Sequence, residues 1–483
     1  MNNKFYTFFL LLPFTWIIAI FLFNPHYIEL TGVLETWLPY KGLVYYKDFA
    51  AFHLPLGRLI LLPIHILADW RTELDPFVAL VFGLGTLKII YDFGKEFLSK
   101  IATLLSLIFF AIFFWYAATG ILFFHEILIG WLLALILWIY FKAHSEKKIS
   151  IQTSFILGIL ISTTELSGQI ATFTLAVIYI LVTTFLLKSK NKSIKIIALN
   201  VGVLAPIAIT SAYFLLNNAF GEFFYYNVTY YLQYAGYDKN FWTLPHLILL
   251  AFYAPLIASL LISVILKKFK LTSRISQLSL LSLSSIPFIV FSVYHPHHLN
   301  YAIPVLALNA GVAYDFAVKN KITRTLVSVT ITIISFVFVY KIIPWHTSRI
   351  VLPPKSFKVA NDTYPDDPMY QVIQWIKQNT NKNATLMVLG DSMIYLKSDR
   401  IPANRPAKGG IPYSWEPFDS VKQEISQKPP DYWIIGNTFT RRLREDYNKG
   451  YMVDFVEEQI EKCCSLVYED DVWQIWQDNK IHE

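Results

Sequence analysis

Eleven apolar runs, parted by short loops in which lysine and arginine collect, leave this chain one broad way to fold: as helices in a lipid bilayer. The runs are residues 6–23, 74–93, 101–118, 124–141, 152–164, 168–187, 196–217, 247–266, 278–293, 299–317 and 325–340. A helix rises about 1.5 Å per residue, so crossing about 30 Å of hydrocarbon takes about 20 apolar residues. Composition agrees with that reading. Of the 483 residues, 55% are hydrophobic and 16% charged, whereas soluble domains carry about a quarter charged residues. The net charge of +7 does not point to a nucleic-acid partner, because the basic residues sit mainly in the short loops that set orientation in a bilayer.

With the first residues in the cytosol, loops 94–100, 142–150, 188–195, 267–274 and 319–324 all fall on the cytosolic side, and each carries lysine or arginine. A further span at 54–69 would break that alternation, so this stretch is expected to lie in the membrane–water interface. Residues 5–23 have no small-residue cleavage site after them and are expected to be a retained span. The run 152–164 is short, rising about 20 Å. It leaves Glu165 and Gln169 below the outer surface, which is tolerable beside a water-filled cavity or a partner.

The first outer loop, 24–70, carries the most unusual composition. Its charged residues, among them Glu29, Glu35, Lys47, Asp48 and Arg58, forbid a span. Its rings, including Tyr27, Trp37, Tyr45, Tyr46, Phe49 and Phe52, suit the boundary where an apolar body and a polar edge are both satisfied. Two interfacial helices are expected, over 28–41 and 54–69. An acidic side chain held at that boundary reaches a lipid headgroup and a dissolved reactant together. Such an acid is the candidate for the chemistry; Glu35, six positions after Glu29 and on a different face, is expected to be solvated.

From about residue 343 no further run is long enough to span. Apolar spacing predicts a helix over 368–379 and buried strands over 385–389, 432–435 and 472–476. The whole reads as a polytopic α-helical membrane protein of about eleven spans, first residues inside and last outside. A transmembrane domain, 1–343, holds the first outer loop (24–73), and 344–483 form a small extracytoplasmic α/β domain. The adjacent Cys463 and Cys464 close only a strained ring and staple nothing. Neither CxxC nor HExxH is present; no cofactor is expected, and scattered carboxylates leave a divalent metal open. Asn227-Val228-Thr229 and Asn383-Ala384-Thr385 are sequons whose use depends on the host, and Leu389-Gly390-Asp391-Ser392 mimics an esterase block without a matching Asp-x-x-His.

Several of these pieces recur together in a known family. Glu29 is followed after 13 positions by Gly42, then by Tyr46-Lys47-Asp48-Phe49 and by His53-Leu54-Pro55-Leu56. Later come His125-Glu126, the Thr-Thr-Glu-Leu-Ser-Gly turn ending at Gly168, and the His/Tyr/Pro-rich stretch 294–301. This pattern resembles the GT-C superfamily of integral-membrane glycosyltransferases, in particular the branch with protein O-mannosyltransferases and lipid A aminoarabinose or galacturonic acid transferases. The resemblance implies inverting transfer of a sugar from a polyprenyl-phosphate donor to a glycan, lipid or protein acceptor at the outer face of the cytoplasmic membrane. It implies an acid early in the first outer loop as the base, a position that Glu29 matches; Ile28 stands where the family has the first acid of an Asp-Glu pair.

Each site residue also has a plainer reading. Glu29 is a base whose pKa partial desolvation would raise, or a helix-start acid. Asp48 positions an acceptor or holds its own turn. Glu126 is a supporting acid or a boundary residue facing water. Glu165 binds the acceptor or pairs with a nearby base. Arg58 is the best cation for a leaving phosphate, with His53, His297 and His298 as weaker ones. Lys47 snorkels, and the aromatic loop 220–242 lines a lipid groove or forms an interfacial belt. A lipid or glycolipid transporter and a catalytically inactive scaffold are the alternatives from other classes.

Overall fold

The computed structural model describes residues 3–23, 31–51, 54–71, 74–118, 125–230, 246–265, 273–286, 300–318, parts of 323–334, 368–405, 417–446 and 448–479. The expected sites Glu29, His53, His297 and His298 lie outside the described residues. The chain groups into two compact units. One comprises 1–28, 74–211 and 230–357, the other 29–73, 212–229 and 358–483. Residues 29–73 thus group with 212–229 and 358–483.

The first unit is helical. Its helices include Asn3–Phe23, Leu74–Phe97, Lys100–Ala118, His125–Ser145, Ile151–Ser167, Thr172–Leu187, most of Lys192–Leu216, His246–Ile265, Arg274–Leu283 and Ile303–Ala317. Among the described residues, four stretches are long and apolar enough to cross a bilayer: Phe77–Phe97, His125–Ser145, Gln169–Leu187 and Lys192–Leu216. The architecture is that of a helical membrane protein. The expected 13-residue run 152–164 is corrected: the helix starts at the Ser150 cap, whose hydroxyl accepts from the Thr153 N–H, and runs 17 residues through Ser167. Small residues bring helices into contact. A Cβ added to Gly158 would collide with the Leu199 carbonyl, and one on Gly202 with that of Phe155. Polar side chains tie the helices as well, with Ser259 to Ser279 at 2.7 Å and Asn309 Nδ2 to Ser282 Oγ at 3.1 Å.

The second unit holds a five-stranded sheet in the order β2-β1-β3-β5-β4, with β1 Thr385–Leu389, β2 Ile401–Pro402, β3 Tyr432–Gly436, β4 Cys464–Glu469 and β5 Trp473–Asp478. β1 runs parallel to β2 and β3, while β5 is antiparallel to β3 and β4. Strands β1 and β3 read as unbroken apolar runs because both faces are covered. Met387, Leu389, Trp433 and Ile435 face Val421, Ile425, Met452 and Val456 from the helices Phe418–Gln427 and Gly450–Cys463. The helix Pro368–Asn379 buries Met369, Val372, Ile373 and Ile376, the stripe its spacing predicts. Sequence spacing misses β2, only two residues long, and β4, whose residues are half-buried or exposed. Cys463 and Cys464 are free thiols. Asp391 of the esterase-like block accepts from the Met393 N–H and serves its turn.

Candidate functional site

The segment expected to be the first outer loop is built on the helix Thr31–Tyr40, which ends where Gly42, at φ +87°, donates its N–H to the Pro39 carbonyl. The chain then winds through Tyr45-Tyr46-Lys47-Asp48-Phe49. Asp48 Oδ2 accepts from the Val44 N–H at 2.7 Å, and the Asp48 N–H donates back to the Val44 carbonyl at 2.9 Å. Of its two readings, the hold on its own turn is the one visible here. Tyr46, at φ +67°, has its ring stacked on Tyr226 and edged by Phe223, with Phe214 tilted against it. Lys47, read as a snorkelling side chain, donates from Nζ to the Asn217 carbonyl at 2.9 Å.

The expected helix 54–69 is corrected to two short ones, Leu56–Leu59 and Leu62–Leu67. Pro63 is the cause: its ring clashes with the carbonyl four residues back, at Leu59, and it has no N–H to continue the ladder. The first piece delivers Arg58 into the core, where Nε lies 3.2 Å from Glu35 Oε2; the two side chains are 4% and 2% exposed. Glu35 is therefore not solvated as expected. An acid at that position survives burial because a guanidinium shares it. Tyr45 donates its hydroxyl to the Glu35 carbonyl at 2.5 Å. Burial pushes the Tyr45 phenol well above its ordinary range, and the Glu35 carboxylate adds to the rise. The second piece delivers His65, whose Nδ1 lies 2.6 Å from Thr36 Oγ1 with both residues buried.

The loop is also tied to the α/β residues of its own unit. Lys41 pairs with Asp399 at 2.7 Å, and the Ala50 N–H donates to the Arg405 carbonyl at 2.9 Å. Arg405 is itself held by Glu424 at 2.7 Å. Of the aromatic loop 220–242, residues 220–230 continue as a helical turn, and Asn227 of the first sequon donates to the Phe223 carbonyl at 2.8 Å; residues 231–242 lie outside the described residues.

In the first unit, three motifs that are far apart in sequence converge. His125 and Glu126 open the helix His125–Ser145, both buried, with Nε2 and Oε1 3.4 Å apart. The helix N-terminus favours a carboxylate there, and Glu126 does not face water. Gly168, closing the Thr-Thr-Glu-Leu-Ser-Gly turn, packs so tightly on His125 that an added Cβ would lie 2.6 Å from its ring. Gly130, one turn after Glu126, leaves room for the Asn300 carbonyl, which a Cβ would approach to 3.0 Å. Glu165 Oε1 accepts from the Thr172 hydroxyl at 2.7 Å. Among the described residues no group of three or more His, Cys, Asp or Glu is arranged to hold a metal.

A scan of the sequence against protein-family models gives no match, and a search of the curated proteins gives none either. Solved structures do match. The chain aligns with ArnT from Cupriavidus metallidurans bound to undecaprenyl phosphate, at TM-score 0.58 and 11% identity, over 99% of this chain and 98% of that one. It aligns with the Archaeoglobus fulgidus oligosaccharyltransferase tethered to an acceptor peptide, at TM-score 0.55 and 11% identity, over 100% of this chain and 75% of that one. The archaeal oligosaccharyltransferase AglB, in complex with an inhibitory peptide and a dolichol-phosphate, gives TM-score 0.55 and 10% identity with the same coverage. The fold is that of the GT-C glycosyltransferases.

Within the GT-C fold, sequence reading named Asp48, Arg58, Glu126 and Glu165 among the described residues. Arg58 is brought to Glu35, and Glu126 to His125 beside the turn that carries Glu165. Reading the sequence missed the Glu35–Arg58 pair and the Thr36–His65 bond. Glu35 and Arg58 stand 23 positions apart on separate helices, and the turns at Gly42 and at Val44–Asp48 lie between them.

Proposed function

We propose that this chain is a membrane glycosyltransferase that moves a sugar from a polyprenyl-phosphate donor to an acceptor hydroxyl at the outer face of the cytoplasmic membrane. The observation that carries this reading is the GT-C fold, matched along nearly the whole of ArnT, whose structure contains undecaprenyl phosphate. AglB in complex with a dolichol-phosphate supports the same donor class.

In the proposed reaction, Glu29 takes the proton of the acceptor hydroxyl while the acceptor oxygen attacks the anomeric carbon. The bond from that carbon to the phosphate oxygen breaks with inversion, and polyprenyl phosphate leaves with the electron pair. Charge builds on the leaving phosphate, so cationic or N–H donors there lower the barrier. His53, His297 and His298 are the proposed donors. Arg58 contributes to the phosphate field through a guanidinium that Glu35 already partly neutralises. Asp48 is a positioning residue, because its carboxylate holds the turn between Val44 and Phe49. Glu126 and Glu165 are proposed to bind substrate from the outer turns. The topology that goes with this reading has about eleven spans, the first residues in the cytosol and the last outside.

Replacing Glu29 with Gln keeps the size and removes the base. Glu29→Gln is expected to lower transfer at least 100-fold while the protein inserts normally, as read by mass spectrometry of cell-surface glycans and by membrane fractionation. Normal transfer by that variant removes Glu29 as the base. Glycans unchanged by deletion of the gene remove the transferase reading itself.

A further inference from the structure

The first unit holds a buried amide without a hydrogen-bond partner among the described residues. Asn300 is 2% exposed, and neither its Oδ1 nor its Nδ2 has a hydrogen-bond partner among the described residues. Its placement is fixed on both sides. The next residue, Tyr301, is buried and donates its hydroxyl to the Ser285 carbonyl at 3.0 Å, and the Asn300 backbone seats against Gly130. Gly130 is one helical turn from Glu126, about 6 Å along the axis. A buried polar group without a partner costs about 1–3 kcal/mol, so the amide offers a ligand bonds that the described residues leave unmade.

The chemistry of the amide says which ligand. A carboxamide presents an acceptor on one atom and two donors on the other. A phosphate ester oxygen accepts but does not donate, so it would serve Nδ2 and leave Oδ1 orphaned. A prenyl chain serves neither. Two neighbouring hydroxyls of a sugar serve both: one donates to Oδ1 and the oxygen of the other accepts from Nδ2. We propose that Asn300 reads the sugar of the lipid-linked donor; this rests on the transferase reading above. Asn300, whose backbone seats against Gly130, is then a specificity-determining residue, and it discriminates a glycosylated carrier from the bare lipid phosphate.

The test uses the full chain in lipid nanodiscs, wild type beside Asn300→Leu, a variant of similar size that removes the orphaned amide. Native mass spectrometry measures binding of undecaprenyl phosphate and of its mannose, glucose and galactose esters, and thermal unfolding is followed in parallel. The wild type is expected to bind at least one sugar-bearing lipid about tenfold more tightly than undecaprenyl phosphate, the worth of two hydrogen bonds. Asn300→Leu is expected to bind undecaprenyl phosphate as the wild type does, to lose the tenfold gain, and to melt no lower. Retention of the gain by the variant overturns the proposal, as does the absence of any gain in the wild type. So does a fall of several degrees in its melting temperature, which means that the amide has a protein partner. Failure of the wild type to bind any of the four lipids is a different result, because it removes the donor class and so the transferase reading.

Discussion

The first outer loop and the turn that closes the helix Ile151–Ser167 each keep a carboxylate away from bulk water, and they satisfy it in different ways. Glu35 is buried against a guanidinium at 3.2 Å, while Glu165, half-buried, takes a bond from a neutral hydroxyl, that of Thr172, at 2.7 Å. The first arrangement is locked. Removing either Glu35 or Arg58 takes from the other an opposite charge held 3.2 Å away in the core. The second is open to exchange, because a hydroxyl from another molecule offers a carboxylate what Thr172 offers. A charge already matched inside the protein serves the fold, and one held by a hydroxyl is available to a ligand. On that ground Glu165, rather than Glu35, is the acid expected to respond to substrate.

The largest effect expected to test this contrast is on the ion pair. Arg58→Leu should destabilise the second unit by about 3–5 kcal/mol, since Glu35 keeps its charge without its partner. The double variant Glu35→Leu with Arg58→Leu should recover most of that loss. Thermal or denaturant unfolding of the two proteins decides it. A double variant as weak as the single one means that the pair is not the unit of stability. Next in size, Glu165→Gln keeps an acceptor for Thr172 and removes a charge that no cation shares among the described residues. Its stability is expected to change by less than about 1 kcal/mol while transfer falls; a large loss of stability with unchanged transfer would make Glu165 structural. The smallest effect is expected at Lys41 and Asp399, whose side chains are 32% and 58% exposed. Lys41→Ala should cost about 0.2–1 kcal/mol, and raising the salt should diminish even that. A larger, salt-insensitive loss would mark this contact as part of what holds the loop in its unit.

Much of the fold was legible from local pattern. The helix over 368–379 follows from an apolar stripe at helical spacing, and β1 and β3 follow from unbroken apolar runs. β4 was not legible, because Cys464–Glu469 pairs only with β5, at the end of the sheet, and leaves Leu466 exposed. The candidate site divides in the same way. Gly42 and Asp48 act within a few residues of themselves, so their roles in turns can be read along the chain. The partner of Glu35, the glycine packed on His125 and the glycine that seats the Asn300 backbone come from distant segments, and no local spacing announces them.

The sequence by itself determined that this chain lives in a bilayer, because transfer from water to hydrocarbon is close to a sum over residues and can be read off apolar runs. It also determined the family pattern in the first outer loop. Only the tertiary structure decided which charged groups are paired or packed within the fold. Burial and pairing depend on what other segments bring to the same place: Arg58 to Glu35, Gly168 to His125, Asn300 to Gly130.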